Sequence, residues 1–459
     1  MRLAGQFART RRILRNDQTL MAVVAVVVGI IVAYAAIGFR LGISSVQWLS
    51  YGEIAERLVR RVGEIPVWQV LLVPTAGGLV VGLFLQFVMP GGRPMGVANV
   101  IEAMALRNGR MRLREGIAAA FVSIVSLGVG ASAGREGPMV HLGASIAGGI
   151  TARLGLSRHL ARTLLGCGAA ASVAASFNAP IAGVFFALEV IIGHYALSAF
   201  APVVIASVAG TVIGRAHLGE QPAFLLPQFG VNSLWEFPAF LVLGAVCAAI
   251  AIIFMWSIFH AERVVDSLKV PNWLKPAAGG LAVGAIAVEF PQVLGVGYEA
   301  TDNALNGLVP LWLLLLLIPL KTAATAITLG CRFGGGVFSP SLCLGAMTGG
   351  GLWHHCGRCF SSPRRFPRCL CHRRHERTCR RHLGRADFNN SDRVRADRRL
   401  SDHRRRHGGD IRGDGDRSRR TGTQLFSLAI GKPRLEPARR AGPPSLAKPY
   451  GARRAGNGF

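Results

Sequence analysis

The sequence predicts an all-α, polytopic membrane protein. Hydrophobic residues make up 51% of the 459 residues, charged residues only 17%, and 57 residues are glycine. The mean hydropathy of +0.38 is too high for an ordinary soluble protein of this length. Apolar windows near the ~20 residues that cross a bilayer as a helix recur along the chain as far as residue 353. These observations exclude the soluble globular class.

The first predicted element is a retained membrane helix. An apolar run from Leu20 to Phe39 matches a bilayer crossing of ~20 residues and lacks a small-residue cleavage site. Residues 1–19 contain the basic stretch RTRRILR. We therefore expect these residues to form a cytoplasmic leader, because positive charge favours the cytoplasmic side.

The later apolar windows include several that are too short for a full crossing. Gly- and Pro-interrupted segments are tolerated at membrane depth only where the freed backbone groups line a buried or watery cavity. In transporters such segments indicate the binding site. The windows lie at 67–89, 116–133, 137–152, 160–177, 180–193, 197–214, 238–260, 276–290, 309–329 and 335–353.

Two of the interruptions have a comparable form. GREGP at 134–138 and GGVFSP at 335–340 each place a glycine turn before a proline and an apolar run. Proline is accepted in the first turn of a helix, so each loop is expected to open a half-helix. Two half-helices that aim their N-terminal N–H groups at one point make an anion site.

Arg135 and Glu136 are adjacent charges in an otherwise small, apolar segment. A carboxylate at the start of a helix can occupy the place of an anion, so Glu136 is predicted to compete with a permeating anion. Displacement of Glu136 by a proton or by an anion would make it both a gate and a proton carrier. The alternative is a local ion pair between the two residues at the membrane surface, which adjacent helix positions disfavour.

Three blocks together resemble the CLC family of chloride channels and chloride/proton antiporters, over roughly residues 20–353. They are GREGP (134–138), GCGAAASVAASFNAPIAGVFFALE (166–189) and GGGVFSPSLCLGA (334–346). The resemblance implies two inverted repeats of tilted, partial helices, at 20–193 and 194–353, and a two-fold homodimer with one anion pathway per subunit. It also implies that chloride is the transported ion and that the protein has neither enzyme activity nor a cofactor. The implied location is the lipid bilayer of the bacterial inner membrane.

The same resemblance implies roles for individual residues. Glu136 corresponds to the gating glutamate of the family. The anion donors correspond to main-chain amides around Gly134, Arg135 and Gly137 in the first loop and of Val337 and Phe338 in the second.

Two departures from the family pattern affect the expected activity. The first anion loop falls on PMGVAN at 94–99, which places Met95 where the family has a hydroxyl, and methionine offers no O–H donor. Val190 stands where antiporters of the family carry an inner proton glutamate, after a Glu189 that we interpret as a structural acid. We therefore favour passive conduction, with chloride/proton antiport as the alternative.

Lys321 is the other charge deep in an apolar run, within LLLLLIPLKTAATAITLG. Intramembrane lysines are costly and tend to face a cavity. The alternative is that its long side chain reaches the membrane interface.

Residues 354–459 differ in composition from the rest of the chain. They hold more than half of the Lys and Arg residues and have no apolar run long enough to span a bilayer. Reading Ala386–His403 one nucleotide later permits PISTILIVFELTGDYRI, an apolar segment that resembles the late helices of the family. We therefore predict that translation leaves the frame near Leu352, that 354–459 is a disordered tail and that the second repeat is truncated.

A membrane-anchored metal or nucleic-acid binding module is the competing interpretation of this tail. Its residues lack the aliphatic side chains for a core and a standard pairing of CxxC motifs. We therefore predict no metal site and no nucleic-acid partner, and the remaining alternative is a non-functional fragment. The residues with partial zinc-ligand spacing are Cys356, Cys359, Cys369, Cys371, His372, His375 and Cys379.

Overall fold

A computed structural model of the chain describes residues 17–52, 65–195, 197–220, 224 and 236–360, with side chains as far as Leu352. All of them belong to one compact unit, Met1–Leu370. The predicted leader 1–19 therefore lies almost entirely outside the described residues. So does the predicted frame-shifted tail, apart from the backbone of 354–360.

The described residues form α-helices joined by short turns, and the isolated bridge between Gly134 and Gly336 is the one β-type pairing found among them. A π-helical turn, Ala187–Ile192, extends α7, and 3₁₀ turns lie at Pro90–Gly92 and Pro291–Val293. The helices are α1 (Asp17–Tyr51), α2 (Val67–Val88), α3 (Val97–Leu106), α4 (Leu113–Gly128), α5 (Glu136–Leu154), α6 (Arg158–Phe177), α7 (Pro180–Phe186), α8 (Leu197–Leu218), α9 (Glu236–Ser267), α10 (Lys275–Glu289), α11 (Tyr298–Leu305), α12 (Leu311–Gly330) and α13 (Phe338–Phe360).

Six of the described helices are long and apolar enough to cross a membrane: α1, α2, α6, α8, α9 and α12. The others are shorter or less apolar, as expected for partial helices at membrane depth. The prediction of an all-α, multi-pass membrane protein is confirmed.

Several predicted boundaries differ from the observed ones. The window 116–133 runs past the end of α4 at Gly128, because the following turn is also apolar. The helix α13 continues to Phe360, beyond the predicted boundary at 353. The sequence windows also missed α3, which is apolar but too short to register as a membrane segment, and α11, which is both short and polar.

Small residues bring α5 and α6 into close contact behind the first glycine turn. A Cβ atom on Gly143 would lie 2.0 Å from Ser172 Oγ and 2.6 Å from the Gly168 carbonyl oxygen. Within a membrane, helices gain stability from such close backbone packing rather than from burial of apolar surface. This contact explains the run of Gly, Ala and Ser in α6 and fixes the position of α5.

The unit made of α4, its turn and α5 recurs later in the chain as α12, its turn and α13. A constant offset of 202 positions relates the two units, from Gly128 to Gly330 at the helix ends and from Glu136 to Phe338 at the helix starts. The prediction that the two interruptions are equivalent is therefore correct at the level of backbone structure. The wider repeat boundaries, 20–193 and 194–353, stay a prediction.

The two units exchange equivalent hydrogen bonds with each other. Ser126 Oγ accepts a bond of 3.0 Å from the Gly334 N–H, and Thr328 Oγ1 accepts one of 3.2 Å from the Ser132 N–H. Ser126 and Thr328, like Ser132 and Gly334, are 202 positions apart. A reciprocal exchange of this kind is the local signature of a pseudo-two-fold axis between the two units.

Candidate functional site

The two glycine turns lie against each other in the structure. The Gly134 N–H donates to the Gly336 carbonyl oxygen, the Gly336 N–H donates to the Gly134 carbonyl oxygen, and both N···O distances are 2.7 Å. This pair of bonds forms the antiparallel bridge between the two units. The turns, which are far apart in the sequence, therefore meet at one place.

Glycine is required at this contact for steric reasons. A Cβ atom on Gly336 would lie 3.0 Å from the Gly137 nitrogen and 3.2 Å from its Cα. A Cβ atom on Gly134 would lie 3.1 Å from the Gly336 carbonyl oxygen. Side chains at these positions would force the two turns apart, since the atoms that they would meet include main-chain atoms.

Each turn leads directly into the first turn of a helix. The first hydrogen bonds of α5 and α13 are equivalent, from the Met139 N–H to the Arg135 carbonyl oxygen (3.3 Å) and from the Ser341 N–H to the Val337 carbonyl oxygen (3.1 Å). Pro138 and Pro340 precede these donors and have no N–H of their own. The proline in each motif thus begins the helix without leaving an unsatisfied donor.

First-turn amides of both helices are the candidate anion donors. Helix geometry leaves the N–H groups of Glu136 and Gly137 in α5, and of Phe338 and Ser339 in α13, without an intrahelical acceptor. The partial positive charge of each helix start favours an anion there. The Gly134 N–H is already donated to Gly336, so this predicted donor is not part of the set.

The Glu136 side chain folds back over this meeting point. Its residue is only 4% exposed, and Oε2 has no hydrogen-bond partner. The Cβ position built on Gly134 lies 2.7 Å from Glu136 Oε2 and 3.1 Å from the Ser339 nitrogen. The carboxylate therefore lies between the two helix starts, at the candidate anion site.

Arg135 does not form a close ion pair with its neighbour. Its Nε is 3.9 Å from Glu136 Oε1, while its Nη2 donates to the Ser176 carbonyl oxygen at 3.2 Å. Both side chains are largely buried, at 14% and 4% exposed. The ion pair of the alternative interpretation is thus present at 3.9 Å, but it is buried rather than at the surface, and Arg135 contributes positive charge beside the site.

Tyr298 is a residue of this site that sequence reasoning missed. Its hydroxyl donates a hydrogen bond of 2.7 Å to Glu136 Oε1, and the Arg135 guanidinium carbon lies 4.8 Å from its ring centroid. The motif GVGYE, with two glycines before an aromatic hydroxyl, was the available signal.

Lys321 is buried completely, so the alternative in which it reaches the membrane interface is wrong. Its ammonium group donates to the carbonyl oxygens of Val293 and Gly295, both at 2.9 Å. These hydrogen bonds offset the free-energy cost of burying the charged group. Lys321 thus fixes the loop that leads to Tyr298.

The other predicted positions are exposed or apolar. Val337 and Phe338 are 49% and 42% exposed. The Phe338 ring packs against the Phe177 ring, with 5.6 Å between the ring centroids. Met95 packs against the apolar cluster that contains Val81 and Leu85. Val190 is 39% exposed in the π-helical turn.

The described residues contain no group of three or more His, Cys, Asp or Glu side chains arranged to hold a metal ion. The side chains of the Cys and His residues with partial zinc-ligand spacing, from Cys356 to Cys379, lie outside the described part of the chain. The prediction of no metal site therefore stays a prediction for the tail.

Relatives and solved structures resemble this chain over about three quarters of its length. "Putative chloride channel protein ClcB-like" of Ralstonia nicotianae is 34% identical over 334 residues, which cover 72% of this chain and 77% of the relative. "Voltage-gated ClC-type chloride channel ClcB" of Escherichia coli O157:H7 is 30% identical over 332 residues, covering 71% and 78%. "Chloride channel protein CLC-e" of Arabidopsis thaliana is 32% identical, and the match covers 72% of this chain and 49% of that longer protein.

Among solved structures, a slow cyanobacterial Cl⁻/H⁺ antiporter superposes with a TM-score of 0.65 at 22% identity, over 74% of this chain and 80% of the other. A CLC-type fluoride/proton antiporter gives a TM-score of 0.62 at 24% identity, over 75% and 82%. At these identities the likeness shows the fold. The family model described as "Voltage gated chloride channel" matches residues 77–370. This match covers more than half of the chain, and it agrees with the related sequences and with the two bridged helix starts. The chain therefore belongs to the voltage-gated chloride channel (CLC) family.

Proposed function

We propose that this protein conducts chloride passively through a CLC-type pore gated by Glu136. The observation that carries the proposal is the position of the Glu136 carboxylate, buried between the N-termini of α5 and α13. A carboxylate and a chloride ion compete there for the same region of positive potential at the two helix starts. Protonation of Glu136 removes its negative charge and allows chloride to take its place beside the first-turn amides.

Two further observations favour conduction over antiport. The relatives of at least 30% identity carry chloride channel names. Val190 offers no carboxyl group at the position where the antiporter pattern has one. A second carboxyl group on the inner side would give protons a route between Glu136 and the inner solution, and the valine side chain at position 190 does not supply one.

The proposed surroundings follow from the same family. The protein is an integral membrane protein, and we place it in the bacterial inner membrane as a homodimer with one pathway in each subunit. Chloride is the transported ion, and the proposed activity requires neither a cofactor nor chemical catalysis.

The gating role is tested by chloride efflux from proteoliposomes as a function of pH. The assay uses the chain translated in the displaced reading frame past codon 352, which restores the missing late helices. We expect efflux through this chain to rise as the pH falls, and efflux through its Glu136→Ala variant to be insensitive to pH. Glu102→Ala serves as the matched control, because Glu102 is an exposed acid paired with Arg107 on α3. An unchanged pH profile in Glu136→Ala contradicts the gating role.

Conduction and antiport are separated by the movement of protons. A chloride gradient imposed across the same vesicles should drive no proton uptake against a proton gradient if the pathway is passive. Sustained uphill proton movement establishes the antiporter alternative and removes the argument from Val190.

The predicted loss of reading frame has its own test. Sequencing the encoding DNA and reading all three frames past codon 352 should reveal apolar segments in a displaced frame. We expect a chain translated in that frame to conduct chloride and the 459-residue chain to conduct little or none, because helices without their packing partners are unstable in a bilayer. Equal conduction by both chains contradicts this prediction.

A further inference from the structure

We propose that Tyr298 is a hydrogen-bond latch that holds the Glu136 carboxylate in the anion site and thereby sets the proton concentration at which the site opens. The proposal rests on the gating role proposed above for Glu136. It assigns to Tyr298 a positioning role in which the residue acts through the glutamate.

The contact has the geometry of a strong, charge-assisted hydrogen bond. The Tyr298 hydroxyl lies 2.7 Å from Glu136 Oε1, a typical O–H···O distance that also falls within the range of about 2.5–2.7 Å for a hydroxyl that donates to a carboxylate. The glutamate is 4% exposed, so water does not compete freely for the carboxylate. A hydroxyl that donates to a carboxylate stabilises its charged form, and protonation of Glu136 must break or weaken this bond.

The ring of Tyr298 is held on two sides. The Arg135 guanidinium carbon lies 4.8 Å from the ring centroid, and the Phe224 ring meets it edge-on at 5.1 Å between centroids. These contacts fix the ring plane and the direction of the hydroxyl. Tyr298 is also the first residue of α11, directly after Gly297, whose φ of 89° favours glycine.

The backbone before Tyr298 is fixed by bonds to both repeat-related units. The buried Lys321 ammonium donates to the carbonyl oxygens of Val293 and Gly295. The Gly295 N–H donates to the Gly130 carbonyl oxygen at 3.0 Å. The tyrosine therefore stands on a rigid support, and the glutamate is the partner that moves when the bond breaks.

The charges and hydroxyls around Glu136 come from three helix starts. Arg135, at the start of its own helix, has its Nε 3.9 Å from Oε1, and Tyr298 approaches from α11. From α13 comes the uncharged Ser339, whose buried hydroxyl has no hydrogen-bond partner. Among the described contacts, Tyr298 is thus the side chain that donates directly to the carboxylate.

The latch is tested by an infrared titration of the carboxylic acid C=O stretch in the full 459-residue chain, which requires no transport activity. Glu136→Gln identifies the band that belongs to Glu136. We expect Tyr298→Phe to raise the pH of half-protonation by roughly one unit, as loss of a hydrogen bond to a charged group implies. 3-Fluorotyrosine at position 298, a stronger donor of the same shape, should lower that pH.

Tyr51→Phe is the matched control, because Tyr51 is a buried tyrosine whose hydroxyl donates to the Val129 carbonyl oxygen rather than to Glu136. Its titration should match that of the parent. If neither change at position 298 moves the Glu136 band, the latch is wrong. The gating role is tested separately, by the pH dependence of chloride efflux in Glu136→Ala. Failure of the latch would appear in the infrared titration, and failure of the gate would appear in the efflux assay.

Discussion

The two glycine turns share one backbone and differ in their side chains. At equivalent positions, 202 apart, the first turn carries Glu136 and the second carries Phe338. Glu136 is 4% exposed and folds over the meeting point, whereas Phe338 is 42% exposed and packs near Phe177. The candidate main-chain donors thus belong to both units, while the proposed gate belongs to one.

This difference separates anion binding from gating. Backbone amides at a helix start attract any small anion and require only glycine turns that allow close approach. A gate requires a side chain that can take the place of the anion and leave it again. Changes to the shared backbone should therefore affect both units alike, and changes near Glu136 should affect the first unit alone.

The largest expected effect comes from adding a methyl group to each turn. In Gly336→Ala the new Cβ would meet main-chain atoms of Gly137 at 3.0 and 3.2 Å, and we expect the free energy of unfolding to fall by about 1–3 kcal/mol. In Gly134→Ala the closest atom is Glu136 Oε2 at 2.7 Å. That variant should displace the carboxylate and weaken the pH dependence of chloride efflux.

Thermal unfolding in detergent and efflux from vesicles measure the two effects. Gly345→Ala on α13 is the control, because nothing lies within 4 Å of its added Cβ, and it should match the parent in both assays. Equal loss of pH dependence in Gly134→Ala and Gly336→Ala would remove the proposed difference between the turns.

A symmetrical effect, confined to stability and without a change in the pH dependence of efflux, is expected from the hydroxyls that the two units exchange. Ser126→Ala leaves the Gly334 N–H without its acceptor, and Thr328→Val does the same to the Ser132 N–H. Each variant should lower the free energy of unfolding by about 1–3 kcal/mol, the usual cost of a buried unsatisfied donor. Chemical denaturation in mixed micelles measures both.

Ser45→Ala is the control for this pair, since its exposed hydroxyl bonds only to the Leu41 carbonyl oxygen in its own helix. A loss in one of the two variants alone would contradict the pseudo-two-fold relation.

The smallest effect concerns the residue that ends the turn after α4 and after α12. Gly130 and Arg332 are equivalent, with φ of 90° and 69°, a region that costs a non-glycine residue about 1–2 kcal/mol. Arg332→Gly should relieve this strain but lose the 2.8 Å bond to Asp266, a partly buried pair with side chains 12% and 34% exposed, which is worth about 1 kcal/mol, the upper end for surface pairs. Its net effect should be under about 1 kcal/mol in either direction.

Gly130→Ala should be clearly destabilising in the same unfolding assay, because it adds strain and places a Cβ 3.1 Å from the Tyr51 hydroxyl. If Gly130→Ala is as stable as the parent, the left-handed backbone at this position is not a requirement of the fold.

The sequence was sufficient for the membrane class and for the two anion loops. Long apolar helices such as α1 and α12 are predicted from composition alone. The loops GREGP and GGVFSP are predicted from the backbone preferences of glycine and proline. Short α3 and α11 were missed because their stability comes from neighbouring helices rather than from their own sequence.

The amino-acid sequence by itself determined that the chain crosses a membrane, where its helices are interrupted and that Glu136 opens one of the half-helices, since hydropathy and turn preferences are local properties. Only the tertiary structure decided that Gly134 pairs with Gly336, that Gly134 thereby loses its free amide and that Tyr298 donates to Glu136. These contacts join residues far apart in the chain, and their formation depends on helix packing that no local pattern records.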